Sequence, residues 1–205
     1  MKTRRLALVA AAGLAVTAGG GARAADTPKT LRLADGVEMA YVDRGKGDSA
    51  LVFVHCGNCQ MGVWRETLDA FDDTHRVVAM DLPGHGRSGA NRETWTIPAL
   101  GADVAALVEH LALTRVVLVG NSLGGPVSLE AARRLGAKRV LAVVAVDTLQ
   151  DVEAKWPEDG WRKVLEAYKK DFESACDGLM LSLLPTDAPA VSRERIDRET
   201  CDNDP

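Results

Sequence analysis

Four short apolar runs constrain this chain more than any other feature: Ala50 to Val54, Val77 to Met80, Val116 to Val119 and Val140 to Val146. They are continuous rather than alternating, as expected of strands in a parallel sheet covered on both faces. Helical patterns separate them. Leu100, Val104, Leu107, Val108 and Leu111 recur at helical spacing, and so do Val127, Ala131 and Leu135. Strand alternating with helix predicts βαβ units, an α/β fold and a mostly parallel sheet. Right-handed crossovers would set the helices on both faces of that sheet. Upstream, Leu31 to Leu33 and Val37 to Val42 alternate around Asp35-Gly36, which predicts an antiparallel hairpin. After Asp147 the pattern changes. Trp161, Val164, Leu165, Tyr168 and Phe172 form one amphipathic face, and Leu179 to Leu184 predicts a second short helix ended by Pro185.

The first residues stand apart from this scheme. Lys2, Arg4 and Arg5 make a basic start, Leu6 to Val16 is an apolar run too short to span a bilayer, and Ala22-Arg23-Ala24 fits a small-x-small cleavage site. Together they read as a signal peptide over residues 1–24. Export to the periplasm or the extracellular space is therefore expected, without stable membrane insertion. Gly19 to Gly21 end the apolar stretch early, which argues against an anchor. The Arg4-Arg5 pair leaves twin-arginine export open beside the general route. Removing the leader's four basic residues takes the formal charge from −4 to −8. An acidic domain does not attract nucleic acid phosphates or anionic lipid, so neither is expected as a partner. The rest, residues 25–150 and then 151–205, suffices for one domain with a core.

Four cysteines remain, Cys56, Cys59, Cys176 and Cys201, in a chain expected to meet an oxidising compartment. Cys56-Gly57-Asn58-Cys59 has the C-x-x-C spacing of a redox motif. A metal site would need a second ligand pair, and no suitable Cys/His pair is evident, so no metal and no cofactor is expected. A structural disulfide between Cys56 and Cys59, or between Cys176 and Cys201, is compatible with export.

Gly120-Asn121-Ser122-Leu123-Gly124 fits G-x-S-x-G, with a buried strand before it and a helix after it. Such a turn is crowded. Glycines two residues to either side relieve the clash and leave the Ser122 hydroxyl exposed. The helix start also favours developing negative charge. Two further segments point the same way. Val54-His55-Cys56-Gly57 follows a strand, with Trp64 nine residues after His55, and Asp81-Leu82-Pro83-Gly84-His85-Gly86-Arg87-Ser88 follows the next strand.

From about Leu31 to Asp147, these three motifs in this order resemble the α/β-hydrolase fold family, in its single-domain, lidded branch. The resemblance implies that Ser122 is the nucleophile. It implies that the backbone N–H groups of Leu123 and Gly57 form the oxyanion hole. It also implies that residues 151–205 begin a helical lid. The family's usual His-Gly pair reads His55-Cys56 here, with glycine at position 57; the spacing to Trp64 argues against an insertion. The implied chemistry is acyl transfer through a Ser122 acyl-enzyme on a small, ester-like substrate.

The histidines do not supply a base. His55 and His85 lie in motifs whose histidines usually hold loops, His75 precedes a strand at the surface, and His110 lies on a helix face. In this family the triad runs Ser, then Asp or Glu, then His, yet all four histidines precede Ser122. Asp147, at the end of an apolar run, is a position some members use for the acid; the alternative is a strand-end carboxylate that caps the next segment. The chain is therefore expected to stop before its catalytic histidine and to lack the last strands of the sheet. The run Val140 to Val146 supports this, since it carries none of the charges or prolines that blunt an edge strand. Two readings compete with the esterase: a non-catalytic fragment or ligand-binding protein on a hydrolase scaffold, and a thiol–disulfide oxidoreductase using Cys56 and Cys59.

Overall fold

The computed structural model describes residues 27–47, 49–148, 153 and 157–201. The expected signal peptide and the expected boundary at 150/151 lie outside the described residues.

The hairpin is β1 (Lys29–Arg32) and β2 (Glu38–Arg44), antiparallel, with Leu31 opposite Met39. The apolar runs become β3 (Ser49–Val54), β4 (Arg76–Met80), β5 (Arg115–Asn121) and β6 (Val140–Val146). One six-stranded sheet results, in the order β1-β2-β4-β3-β5-β6. β2 meets β4 antiparallel, and the β4-β3-β5-β6 portion is parallel. Val52 lies opposite Val78 on one side and Leu118 on the other.

Alternation along each strand sorts the core into two layers. Val52, Val54, Val78, Met80, Val116 and Leu118 pack with Leu100, Val104, Leu107 and Val108 of α2 (Ile97–His110) and with Val127 and Ala131 of α3 (Gly124–Leu135). Phe53, Val77 and Ala79 face the other way. They pack with Met61, of a 3-10 turn Met61–Trp64, and with Leu68 of α1 (Arg65–Phe71). Helices therefore cover both faces, as expected.

β6 takes the edge, and no strand lies beside its outer side among the described residues. Val140 and Val143 lean on the first layer, whereas Leu141, Val144 and Val146 are 48%, 44% and 38% exposed. An apolar run of interior type thus occupies a sheet edge.

Beyond β6 the described chain is helical: α4 (Glu158–Lys170), α5 (Phe172–Ser182) and α6 (Ala190–Glu199). The Asp171 side chain caps α5 by accepting from the Ser174 N–H at 3.1 Å. The expected apolar face of α4 divides. Tyr168 meets Phe172 edge-on and joins a small core with Cys59, Cys176 and Met180, while Trp161, Val164 and Leu165 stay exposed. Two disulfides form, Cys56–Cys59 and Cys176–Cys201. The second closes 25 residues of chain, worth about 3–4 kcal/mol by loop-closure entropy.

Gly178 lies inside α5, and a β-carbon built there would meet nothing within 4 Å. Gly178→Ala is therefore expected to raise stability by about 1 kcal/mol, read as a rise of a few degrees in Tm. An unchanged or lower Tm would show that α5 needs a glycine there for some other reason.

Candidate active site

The turn from β5 to α3 holds Ser122 in the left-handed region, at φ 49°. A non-glycine residue there costs roughly 1–3 kcal/mol and persists only where its surroundings impose it. The flanking glycines make the turn possible. A β-carbon on Gly120 would overlap the Gly124 carbonyl, and one on Gly124 would overlap the Val54 carbonyl at the end of β3. The end of β6 braces the turn: the Val146 carbonyl accepts from the Ser122 N–H at 3.1 Å and from Asn121 Nδ2 at 2.9 Å. Among the described residues no hydrogen-bond partner is present for Ser122 Oγ.

Leu123 opens α3, where backbone N–H groups have no partner within the helix. Gly57 lies alongside: a β-carbon built on it would sit 3.8 Å from Leu123 Cδ2. The fold thus brings Gly57 near Leu123, the covalent neighbour of Ser122, at the carboxyl ends of β3 and β5. Asp147 is exposed, has φ 46°, and directly follows the carbonyl that braces the turn.

The four histidines are placed elsewhere, as the sequence implies. His55 is fully buried; its Nδ1 lies 2.7 Å from the Cys56 carbonyl and its Nε2 accepts from the Leu82 N–H at 2.9 Å. His85 lies against it, ring centroids 5.1 Å apart, with Nδ1 3.1 Å from the Pro83 carbonyl. His75 is exposed beside Thr74, and His110 is exposed on α2 near Tyr41.

Asp81 ties the two motif loops together, accepting from the Met61 N–H at 2.6 Å and the Arg87 N–H at 2.9 Å. Burial raises its pKa above the usual carboxylate value, against the pull of those two bonds.

Burial, reinforced by His85, lowers the His55 pKa to about 3, although its bond to Cys56 acts the other way. An unfolded histidine titrates near 6.5, so between pH 6.5 and about 3 the unfolded chain binds more protons at this site. Stability from this group is complete above pH 6.5 and is lost as pH falls through that window. The slope approaches about 1.4 kcal/mol per pH unit. His85, also lowered by burial, adds to the loss, while Asp81 opposes it in the acidic part because the fold holds its proton. Tm is expected to fall steadily from pH 7 to pH 4, and less steeply in His55→Asn, whose amide can still donate to the Cys56 carbonyl but does not titrate. Equal slopes in the two proteins would remove His55 as the cause.

The sequence did not point to the partners of the loop after β3. Asn58 Nδ2 donates to the Tyr168 hydroxyl at 2.7 Å, the Cys201 N–H donates to the Asn58 carbonyl at 2.9 Å, and Cys59 forms an antiparallel bridge with Thr200. Only the cysteine spacing hinted at such a tie. Among the described residues no group of three or more His, Cys, Asp or Glu is placed to hold a metal, and no helix is long and apolar enough to cross a membrane.

Residues 49–188 match the model of the alpha/beta hydrolase fold family, and the chain belongs to that family. It is 30% identical over 167 residues to the dihydrolipoyllysine-residue acetyltransferase component of the acetoin cleaving system of Cupriavidus necator, covering 80% of this chain and 42% of that one. It is 34% identical over 149 residues to a non-heme haloperoxidase of Rhodococcus erythropolis, covering 67% and 54%. Among solved structures it superposes on an N-acyl homoserine lactone degrading enzyme with a TM-score of 0.68 and 25% identity, covering 82% of this chain and 65% of that one. The chain spans about half the length of these curated relatives.

Proposed function

We propose that the protein is an esterase-like hydrolase in which Ser122 attacks the acyl carbon of a small ester or lactone. The observation that carries this reading is the strained Ser122, held at φ 49°, with Gly57 close enough to Leu123 that a β-carbon built on it would make van der Waals contact. Attack forms the Ser122 Oγ–carbon bond and moves the carbonyl π electrons onto oxygen. The N–H groups of Gly57 and Leu123 are the donors for that oxyanion. Collapse breaks the bond to the leaving oxygen, which departs as the alcohol with the proton that Ser122 gave up, and water then releases the acid and returns a proton to the serine. Two of the relatives' names, an acetyltransferase component and a lactone degrading enzyme, also concern acyl groups. Residues 151–205 serve as a partial helical lid in this reading, and residues 1–24 as the export signal. The pairing of all four cysteines supports an oxidising destination.

One observation favours a second reading, a ligand-binding protein on the same scaffold. The fully buried His55 has both ring nitrogens engaged, by the Cys56 carbonyl and the Leu82 N–H, and the half-buried His85 lies on the Pro83 carbonyl. A fluorophosphonate probe followed by peptide mapping separates the two. The hydrolase reading expects an adduct on Ser122 that disappears in Ser122→Ala. An unmodified Ser122, together with saturable retention of an uncleaved ester, supports the binding protein instead.

A further inference from the structure

We propose that the Cys56–Cys59 disulfide, braced by the segment that ends at Cys201, is a positioning device for the Gly57 backbone donor; this rests on the acyl-transfer reading above. The disulfide spans just two residues, Gly57 and Asn58. The same short loop is closed by the Cys59 N–H donating to the Cys56 carbonyl at 3.3 Å and turns through Asn58 at φ 60°. A glycine in an open loop would leave the direction of its N–H undetermined, and an oxyanion donor acts only when preorganised.

The brace comes from the far end of the chain. Asn58 is held on its carbonyl by the Cys201 N–H and on its amide by the Tyr168 hydroxyl, and Thr200 pairs with Cys59. Cys201 is in turn bonded to Cys176 of α5. Cys59 and Cys176 are buried in one apolar cluster with Met180, while Cys56 and Cys201 lie at its margin. On its other side Gly57 faces Leu123, 3.8 Å from where a β-carbon on the glycine would lie. The donor is thus held between the serine turn and a twice-crosslinked support.

The bond is also a point of control. A dithiol thiolate attacks the more accessible Cys56 sulfur and expels Cys59 as the thiolate. The second dithiol sulfur then displaces Cys56. Two electrons and two protons pass to Cys56 and Cys59, and the dithiol leaves as its cyclic disulfide.

The test uses the full chain with p-nitrophenyl butyrate as substrate and hydrogen exchange of the peptide containing residues 56–60. In Cys56→Ser/Cys59→Ser, kcat is expected to fall at least about tenfold with KM changed less than about twofold. Exchange at positions 59 and 60, where the Cys59 and Gln60 N–H groups donate to the Cys56 and Glu199 carbonyls, is expected to quicken by at least about tenfold. Should that variant fold poorly, mild dithiothreitol treatment of the unaltered protein replaces it. Its loss of kcat must then reverse on reoxidation. Unchanged exchange overturns the proposal. So does unchanged kcat in the loop variant while Ser122→Ala abolishes turnover. Turnover that survives Ser122→Ala overturns the acyl-transfer reading itself.

Discussion

Ser122→Gly is expected to stabilise the fold by about 1 kcal/mol while lowering ester turnover at least about 10³-fold. The two effects share one cause. Ser122 sits at φ 49°, where a β-carbon is strained and glycine is not. Relief of roughly 1–3 kcal/mol is offset in part by the greater freedom glycine brings to the unfolded chain. The hydroxyl that the strain presents is lost at the same time. Chemical denaturation measures the first effect and steady-state kinetics the second. A variant that is both less stable and inactive would mean that the serine hydroxyl supports the fold, which would sink the argument that the turn holds it for chemistry. Gains in stability at the expense of activity are common where a site stores strain.

Gly124→Ala should do the opposite and cost about 3 kcal/mol or more. The added β-carbon would overlap the Val54 carbonyl oxygen, with the His55 carbonyl oxygen 2.8 Å away. Both are backbone at the end of a central strand and cannot swing aside as a side chain would. Relief requires α3 to lift from the sheet, which would loosen the contacts of Val127 and Ala131, both fully buried in the first layer. A urea titration should show a lower midpoint with an unchanged slope. A midpoint within error of the parent protein would mean that the helix sits farther from β3 than described.

The strands were legible because a continuous apolar run records burial on both faces, and the serine turn because its glycines mark a crowded backbone. What such runs do not record is who lies beside them. Val140 to Val146 reads as an interior strand whose outer neighbour is lacking, and among the described residues β5 alone pairs with it, since hydrophobicity reports a tendency to be covered and not the cover itself. α6 escaped notice because Arg193, Glu194, Asp197, Arg198 and Glu199 give it no apolar stripe to detect. The tie between Asn58 and Tyr168 spans 110 positions and rests on one amide and one hydroxyl; nothing periodic announces it. Tyr168 and Phe172 were read as part of an apolar face, and they are, but the face they serve covers the cysteines rather than the sheet.

The bridge between Cys59 and Thr200 also sets a timetable. The strand and turn that carry Gly57 are made early, whereas the residues that fix the loop are the last ones described; the neighbouring Arg65–Glu199 pair spans 134 positions. During vectorial synthesis the sheet can begin to assemble while the loop after β3 still waits for its support. The loop cannot reach its final form until the distal helices have emerged, so the local geometry around Gly57 is among the last features of the fold to be completed.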